Sequence, residues 1–521
     1  LRGDDRLGNL QPDVKDRGIR RTAAIAAIAT FVLHVAANPH YGFFRDELYF
    51  IICGFRPAWG YVDQPPVVPL LSAASQLFGH SLVLLRALPA AFAAGGVYVT
   101  CLLAGELGGG IFAAVLASLA FLAAPVLESF GMKVSPDMAG LWLWPLAALY
   151  VLRIVKGADP RWWLAAGACI GVALESKYSV IFFAIALALG LALTPQRRAM
   201  RTPWFLAGAA VAVALAIPNF IWQALHGFPM WELLQNGAHG KNVIAPWPLF
   251  LFQQLLLTNL FVAPIWIAGL IRLLYGSATR FLGYAFVLLI AMMIALHAKH
   301  YYPADVYPVL MASGGVAFER LTARARFVRP LLVAATVAAG LFFLPFSLPL
   351  LAEPAMLGYS GFVSNALGIG RSTMATERMR SSALPEDFAD MHGWPQLVQS
   401  VAAIYDALPP GERAQAAIVA SNYGEAAAID FFGGRYGLPP ALSGHNNYWL
   451  WGWRNYSGSV VIDVDGDCGR TDFPGLFRRL RLVTHSNPPW VISYEQNIPI
   501  SLCEGITQPL SSIWPKLRHY I

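Results

Sequence analysis

The chain has 521 residues, of which 57% are hydrophobic and 13% charged, with a net charge of +7 and a mean hydropathy of +0.52. A soluble domain carries about 25% charge, so a soluble globule is excluded in favour of a polytopic membrane protein, in which apolar runs of about 20 residues span the bilayer as helices. The positive balance does not point to nucleic acid, because no basic tract is interleaved with aromatics; it fits Lys and Arg held in cytoplasmic loops.

The chain begins at Leu1 rather than Met, which reads as a missing natural start. Residues 1–21 are polar, end in "RGIRR", and read as a cytoplasmic N-terminal segment. The apolar run that follows has no small-residue cleavage site behind a short core, so it reads as a retained first helix. About eleven spans are expected, near 22–38, 82–104, 110–129, 138–155, 161–175, 178–193, 204–222, 247–271, 280–297, 304–318 and 329–351. With the N-terminus inside, alternation places "RIVKGADPR", "TPQRRAMRTP", "RLLYGSATR" and "ERLTARARFVR" inside as well, which agrees with the basic bias of cytoplasmic loops. The inside loop "GELGGG" carries no basic residue. The same count puts "YGFFRDELYF", "MKVSPDM", "ESKYS", the loop 223–246 and "HAKHYYPADVYP" on the outer side. Asp, Glu, Lys, His and Tyr thus converge on one membrane face, where ionisable groups are costly and are candidates for function.

An odd number of spans leaves residues 352–521 outside. "GWPQLVQSVAAIYDALP" has helical spacing, and "AAIVAS" and "SGSVVIDVDG" read as strands, so this part is expected to be a soluble α/β domain. The expected organisation is 1–21, a membrane domain 22–351 with an outer loop 39–81, and 352–521. Cysteines 53, 101, 169, 468 and 503 match no zinc or redox spacing. Outside the cytoplasm Cys468 and Cys503 are the natural pair, as a bridge or as two thiols.

Asp46 and Glu47 lie in the first outer loop, in a segment able to form a short helix at the membrane surface. A carboxylate there can serve as general base toward an acceptor hydroxyl; the bland reading is a solvated pair at a helix edge. Downstream, in "GYVDQPPVVPL", Asp63 and Gln64 precede a Pro pair that fixes a rigid turn back into the membrane. Asp137, after "KVSP", opens a helix with Ser135 available as cap, so capping and a second acidic role are both open. Lys177 in "ESKYS" reads as an ion pair with Glu175, a snorkelling end or a phosphate contact. Lys299, Tyr301 and Tyr302 suit the phosphate of a buried lipid, although Tyr also lines membrane interfaces without other function. His297 and His300, three apart, share a face if helical, a weak metal signal.

The acidic pair after the first span, the "PP" turn, the later "PD", the "SKY" between spans and "KHYYPADVYP" together resemble glycosyltransferase family 39 over about residues 22–320. These polytopic enzymes of the GT-C fold include protein O-mannosyltransferases, with lipid A aminoarabinose transferases close in fold. The resemblance implies an inverting sugar transferase using a polyprenyl-phosphate sugar in the cytoplasmic (inner) membrane, working on the outer face among membrane lipids. Asp46 falls on the first-loop acid, Glu47 beside it, and Asp137 on the second acid. Lys177, Lys299 and Tyr302 fall on contacts to the carrier phosphate, with Arg45 a further candidate. No cofactor or metal ligand set is required, and a divalent metal is compatible. The chain lacks a long central luminal insertion, so a lipid or glycan hydroxyl is expected as acceptor rather than a protein. The rival class is a transporter or flippase for a lipid-linked glycan; against it, no internal repeat is evident. An interaction protein working through its outer domain is a third option.

Overall fold

The computed structural model describes residues 12–368 and 382–521; residues 1–11 of the expected N-terminal segment and 369–381 of the expected C-terminal domain lie outside the described residues. The chain folds into two compact units. One holds Leu1–Pro39, Val83–Asn219 and Ile244–Leu350, and the other holds His40–Leu82, Phe220–Val243 and Leu351–Ile521.

The first unit is helical. Among the described residues four helices are long and apolar enough to cross a membrane, namely Lys15–Ala37, Leu82–Glu106, Pro203–Leu225 and Arg326–Ser347, and six spans result if each of two bent pairs counts as one. Of the other expected spans, 138–155, 161–175 and 178–193 fall on the shorter apolar helices Gly140–Val155, Trp162–Leu174 and Val180–Ala192, and 304–318 falls on the helix Tyr307–Leu321 and the short turn before it. The first helix runs unbroken from Pro12, so the polar residues 12–21 are its opening turns rather than a separate segment. An Asp16–Arg20 pair at 3.3 Å, one turn apart, supports them.

Two expected spans are interrupted. The run at 110–129 divides into Ile111–Leu122 and Pro125–Met132, bent by 68°, because Pro125 has no N–H to continue the ladder. The run at 247–271 divides into Trp247–Leu257 and Ala263–Tyr275. At the break Asn259 adopts φ +70 and donates Nδ2 to the carbonyls of Ala123 and Ala339, each at 3.0 Å. Helices Ala263–Tyr275 and Tyr307–Leu321 meet backbone to backbone. A Cβ at Gly269 would lie 2.0 Å from the Leu310 carbonyl, and one at Gly314 2.0 Å from that of Ile265. Small residues permit such approach where lipid offers no hydrophobic drive.

The second unit carries a four-stranded sheet of β1 (Ala416–Ala420), β2 (Val460–Val464), β3 (Phe477–Ser486) and β4 (Ile498–Ile506), in the order β1-β2-β4-β3. β1 and β2 are parallel, and the other pairings are antiparallel. The apolar runs of β1 and β2 are almost wholly buried, as continuous apolar strands should be. Edge strand β3, "FRRLRLVTHS", is exposed and charged, which discourages pairing with another chain. Helix Trp394–Asp406 buries Leu397, Val398, Val401 and Ile404 on one face. Cys468 and Cys503 form a disulfide, with Cα atoms 6.0 Å apart; Cys53, Cys101 and Cys169 are free and buried.

Candidate active site

Phe44 is extended, and the helix Arg45–Gly54 starts at the next residue. Nearly all of that helix is buried. Gly54 lets it lie against Val67–Ser75, because a Cβ there would sit 2.0 Å from the Pro69 carbonyl. The Pro65–Pro66 turn therefore leads into this nine-residue helix and not directly into a span, since the next long helix begins at Leu82. The two acids of the first loop have different fates. Glu47 is fully buried and its Oε2 accepts from the Phe44 N–H at 2.9 Å, so it caps its own helix. Asp46 keeps 31% side-chain exposure. Its Oδ1 accepts from the Tyr423 hydroxyl at 2.7 Å and lies 3.6 Å from Arg45 Nε.

Arg45, a candidate phosphate contact on sequence, is 6% exposed. Its guanidinium lies over the rings of Tyr423 and Tyr494, 5.1 and 5.2 Å from their centroids. Nη1 donates to the Tyr494 hydroxyl, which donates to Asp390 Oδ1 at 3.1 Å, and Nη2 lies 3.7 Å from Asp390 Oδ2. Gly424 makes room for this side chain, since a Cβ there would fall 2.3 Å from Arg45 Cγ. Behind it, Glu495 accepts from Asn422 Nδ2 at 3.1 Å; burial pushes its carboxyl up to about 8 against the opposing pull of Arg45.

Asp63 accepts from the Tyr49 hydroxyl at 3.0 Å, and the Tyr49 oxygen in turn receives the Asn447 N–H at 3.3 Å. Asn447 Oδ1 accepts from the Val62 N–H at 2.6 Å. The Asp63 side chain keeps some access to water, yet it lies deep in the unit, and that depth pushes its carboxyl up to about 7, the nearby Asp46 charge adding to the effect.

In the other unit Asp137 and Lys177 form an ion pair, with side chains 9% and 16% exposed. Lys177 Nζ lies over the ring of Tyr302 at 4.2 Å and of Tyr301 at 5.0 Å. Asp305, 3% exposed, interacts electrostatically with both Asp137 and Lys177, and its Oδ1 has no hydrogen bond from the described residues. Gly140 is required beside it, because a Cβ would fall 1.9 Å from Asp305 Oδ2. Asp137 does not cap a helix: the helix begins at Gly140 with no side-chain cap, and the Ser135 hydroxyl has no partner among the described residues. Lys177 pairs with Asp137 rather than with Glu175. Lys299 is half-buried nearby in sequence. His297 has φ +52 and follows the end of helix Arg280–Ala295, so His297 and His300 share no helical face. Among the described residues one trio of potential metal ligands lies close together, Asp463, Cys468 and Cys503, and its two sulfurs are joined in the disulfide.

The structure thus brings Arg45 and Asp46 together in one unit, and Asp137, Lys177 and Tyr302 in the other. Sequence reasoning missed Tyr423, Asp390, Tyr494 and Asp305. Asp305 stands inside "HAKHYYPADVYP", where an acid flanked by apolar residues was a signal; the other three carry none, being hundreds of residues from Asp46.

A family model described as Dolichyl-phosphate-mannose-protein mannosyltransferase matches residues 63–222. No curated protein sequence matches the chain. Among the solved structures similar to it are two matched over nearly their whole length. ArnT from Cupriavidus metallidurans bound to undecaprenyl phosphate is 16% identical with a TM-score of 0.57, covering 92% of this chain and 97% of its own. The same protein in the apo state is 16% identical with a TM-score of 0.56 and the same coverage, 92% and 97%. At that identity the likeness is one of fold, and it completes what the helices indicate: the chain is a multi-pass membrane protein with the GT-C fold of ArnT.

Proposed function

We propose that this chain is a membrane glycosyltransferase that moves a sugar from a polyprenyl-phosphate carrier to a hydroxyl of a lipid or glycan. The observation that carries the reading is the whole-length fold likeness to an ArnT bound to undecaprenyl phosphate, joined to the mannosyltransferase family match at 63–222. The acceptor oxygen attacks the anomeric carbon and forms the new glycosidic bond. The carbon–oxygen bond to phosphate breaks, and the polyprenyl phosphate leaves with the electron pair. Asp46 takes the hydroxyl proton, a role supported by its accessible carboxylate. One displacement inverts the anomeric centre. Phosphate is already a competent leaving group, so the protein's part is a base, an oriented acceptor and cationic contacts.

Lys177, Lys299 and Tyr302 are the proposed contacts to the carrier phosphate. Asp137 is proposed as the second acid, and its pairing with Lys177 would set that ammonium in place. Glu47 and Arg45 take supporting roles in this reading, the first as a cap and the second through its contacts with Asp46, Asp390 and Tyr494. The proposed location is the cytoplasmic membrane, with the N-terminus inside and the C-terminal segment outside. The Cys468–Cys503 disulfide supports that sidedness, because such bonds persist in oxidising compartments.

The test is purified full-length protein in detergent, given a panel of undecaprenyl-phosphate-linked sugars, with release of undecaprenyl phosphate as readout. Consumption of at least one donor is expected, and Asp46→Asn should reduce it by about 10²–10⁴-fold with folding unchanged. If no donor is consumed, or the variant turns over as fast as the wild type, the reading fails.

A further inference from the structure

Asp46 sits in the first turn of its helix, where a carboxylate usually turns back to the free N–H groups. Here Glu47 takes that place on the Phe44 N–H. Asp46 is instead met from the far end of the chain, by a hydroxyl 377 residues away at 2.7 Å. Its second oxygen, Oδ2, accepts no hydrogen bond from the described residues, and the side chain stays 31% exposed. One oxygen is therefore held by a hydrogen bond in a side chain that remains partly exposed.

The residue that holds it is itself fixed. Tyr423 is 7% exposed and opens the helix Tyr423–Phe432. Asn422 caps that helix, its Oδ1 accepting from the N–H groups of Gly424 at 2.8 Å and Glu425 at 3.0 Å, while Glu425 Oε2 returns a bond to the Asn422 N–H at 3.2 Å. The Tyr423 ring packs against Tyr49 at 4.6 Å and His445 at 4.8 Å between centroids, with the Arg45 guanidinium over its face. We infer that Tyr423 is a positioning residue for Asp46, by which the C-terminal segment sets the rotamer and hydrogen bonding of the first-loop carboxylate. The inference rests on the proposed role of Asp46 as base. It makes the C-terminal segment part of the reaction apparatus rather than an appended domain.

A donor hydrogen bond favours the charged form of a carboxylate. The titratable groups on the elements packed together here include Arg45, Glu47 and Tyr49 on the helix of Asp46, Asp63 in the following loop, and Glu425 and Asp430 on the helix Tyr423–Phe432, with Asp390 and Tyr494 acting through Arg45; the helix Val67–Ser75 packed alongside contributes none. Removing the hydroxyl alone leaves those groups in place, so a change in the variant's pH profile reports the Tyr423–Asp46 hydrogen bond.

The experiment measures the rate at which a water-soluble carbodiimide modifies Asp46 as a function of pH, by peptide mass spectrometry on the full chain, with Asp46→Asn as blank. The pH–kcat/KM profile of donor consumption is recorded in parallel. In Tyr423→Phe the labelling midpoint and the acid limb should both rise by about one pH unit, the size of one lost charge-assisted hydrogen bond at a partly exposed site. In case the variant does not fold, 3-fluorotyrosine at position 423 keeps ring and hydroxyl but donates more strongly, and should move both quantities down. A merely structural Tyr423 would move neither. Midpoints that coincide with wild type in the variants that fold would overturn the inference. Midpoints that shift in a protein consuming no donor would uphold the role of Tyr423 and overturn the proposed function instead.

Discussion

Replacing Lys177 by Met removes the cation from a cluster of two carboxylates. Asp137 and Asp305 are 7% and 3% exposed, and among the described residues Lys177 is the cation that interacts electrostatically with Asp305. Breaking a buried ion pair from one side costs about 3–5 kcal/mol, because it leaves a charge uncompensated. The ammonium also lies 4.2 Å above the Tyr302 ring, a contact worth roughly 0.5–2 kcal/mol. A loss near 4 kcal/mol corresponds to a fall on the order of 10 °C in apparent melting temperature. Neutralising Asp137 as well removes the stranded charge, so Lys177→Met/Asp137→Asn should recover at least about 2 kcal/mol relative to Lys177→Met. Asp305→Asn should cost under about 1 kcal/mol or stabilise, because that carboxylate has an oxygen without a hydrogen bond and no direct ion pair. The assay is the thermal midpoint of detergent-purified protein for both singles and the double, closed as a double-mutant cycle, with Asp305→Asn measured beside it. If the double variant loses the sum of the two singles, the pair is not coupled, and the argument from its burial is wrong.

Lys299→Ala and Tyr302→Ala should raise KM for the polyprenyl-phosphate donor with little change in kcat, measured by initial rates; an effect confined to kcat would remove both from carrier binding. Stability should fall as pH rises, because burial holds Asp463 at about 7, above its ordinary range near 4. The protonated form favours the native state, so that contribution is complete below about pH 4 and lost by about pH 7, up to roughly 4 kcal/mol; melting curves across this window should flatten in Asp463→Asn, and an unchanged slope would contradict the assignment. Sidedness is read by a single cysteine introduced at Ser421, in a background without the native cysteines. Labelling by a membrane-impermeant thiol reagent in intact cells is expected, and labelling only after lysis would reverse the proposed orientation.

Apolar runs, which need only local composition, marked helices, because a backbone in lipid must satisfy its hydrogen bonds internally, while among the described residues four helices, or six spans if each bent pair is one, are long and apolar enough to cross a membrane. The same local signals located β1, β2 and the helix Trp394–Asp406 in the C-terminal segment. Hydropathy could not see the breaks at Pro125 and Asn259, where one residue's geometry outweighs an apolar window. It could not see β3 either, whose charged exposed edge has no strand-like burial pattern.

The sequence marked "RDEL" as chemically unusual, but composition and spacing do not tell Asp46 from Glu47, two acids in one apolar stretch; the family resemblance alone favoured Asp46. The tertiary structure separates them: Glu47 is buried as a cap, while Asp46 is partly exposed and held by Tyr423. It likewise gives Lys177 to Asp137 rather than to Glu175 two residues away, and buries Asp305 beside a glycine. Composition and periodicity report how a residue relates to its near neighbours along the chain. The partner that aims a carboxylate can be brought up by packing across 377 residues, and no pattern among near neighbours along the chain reports it.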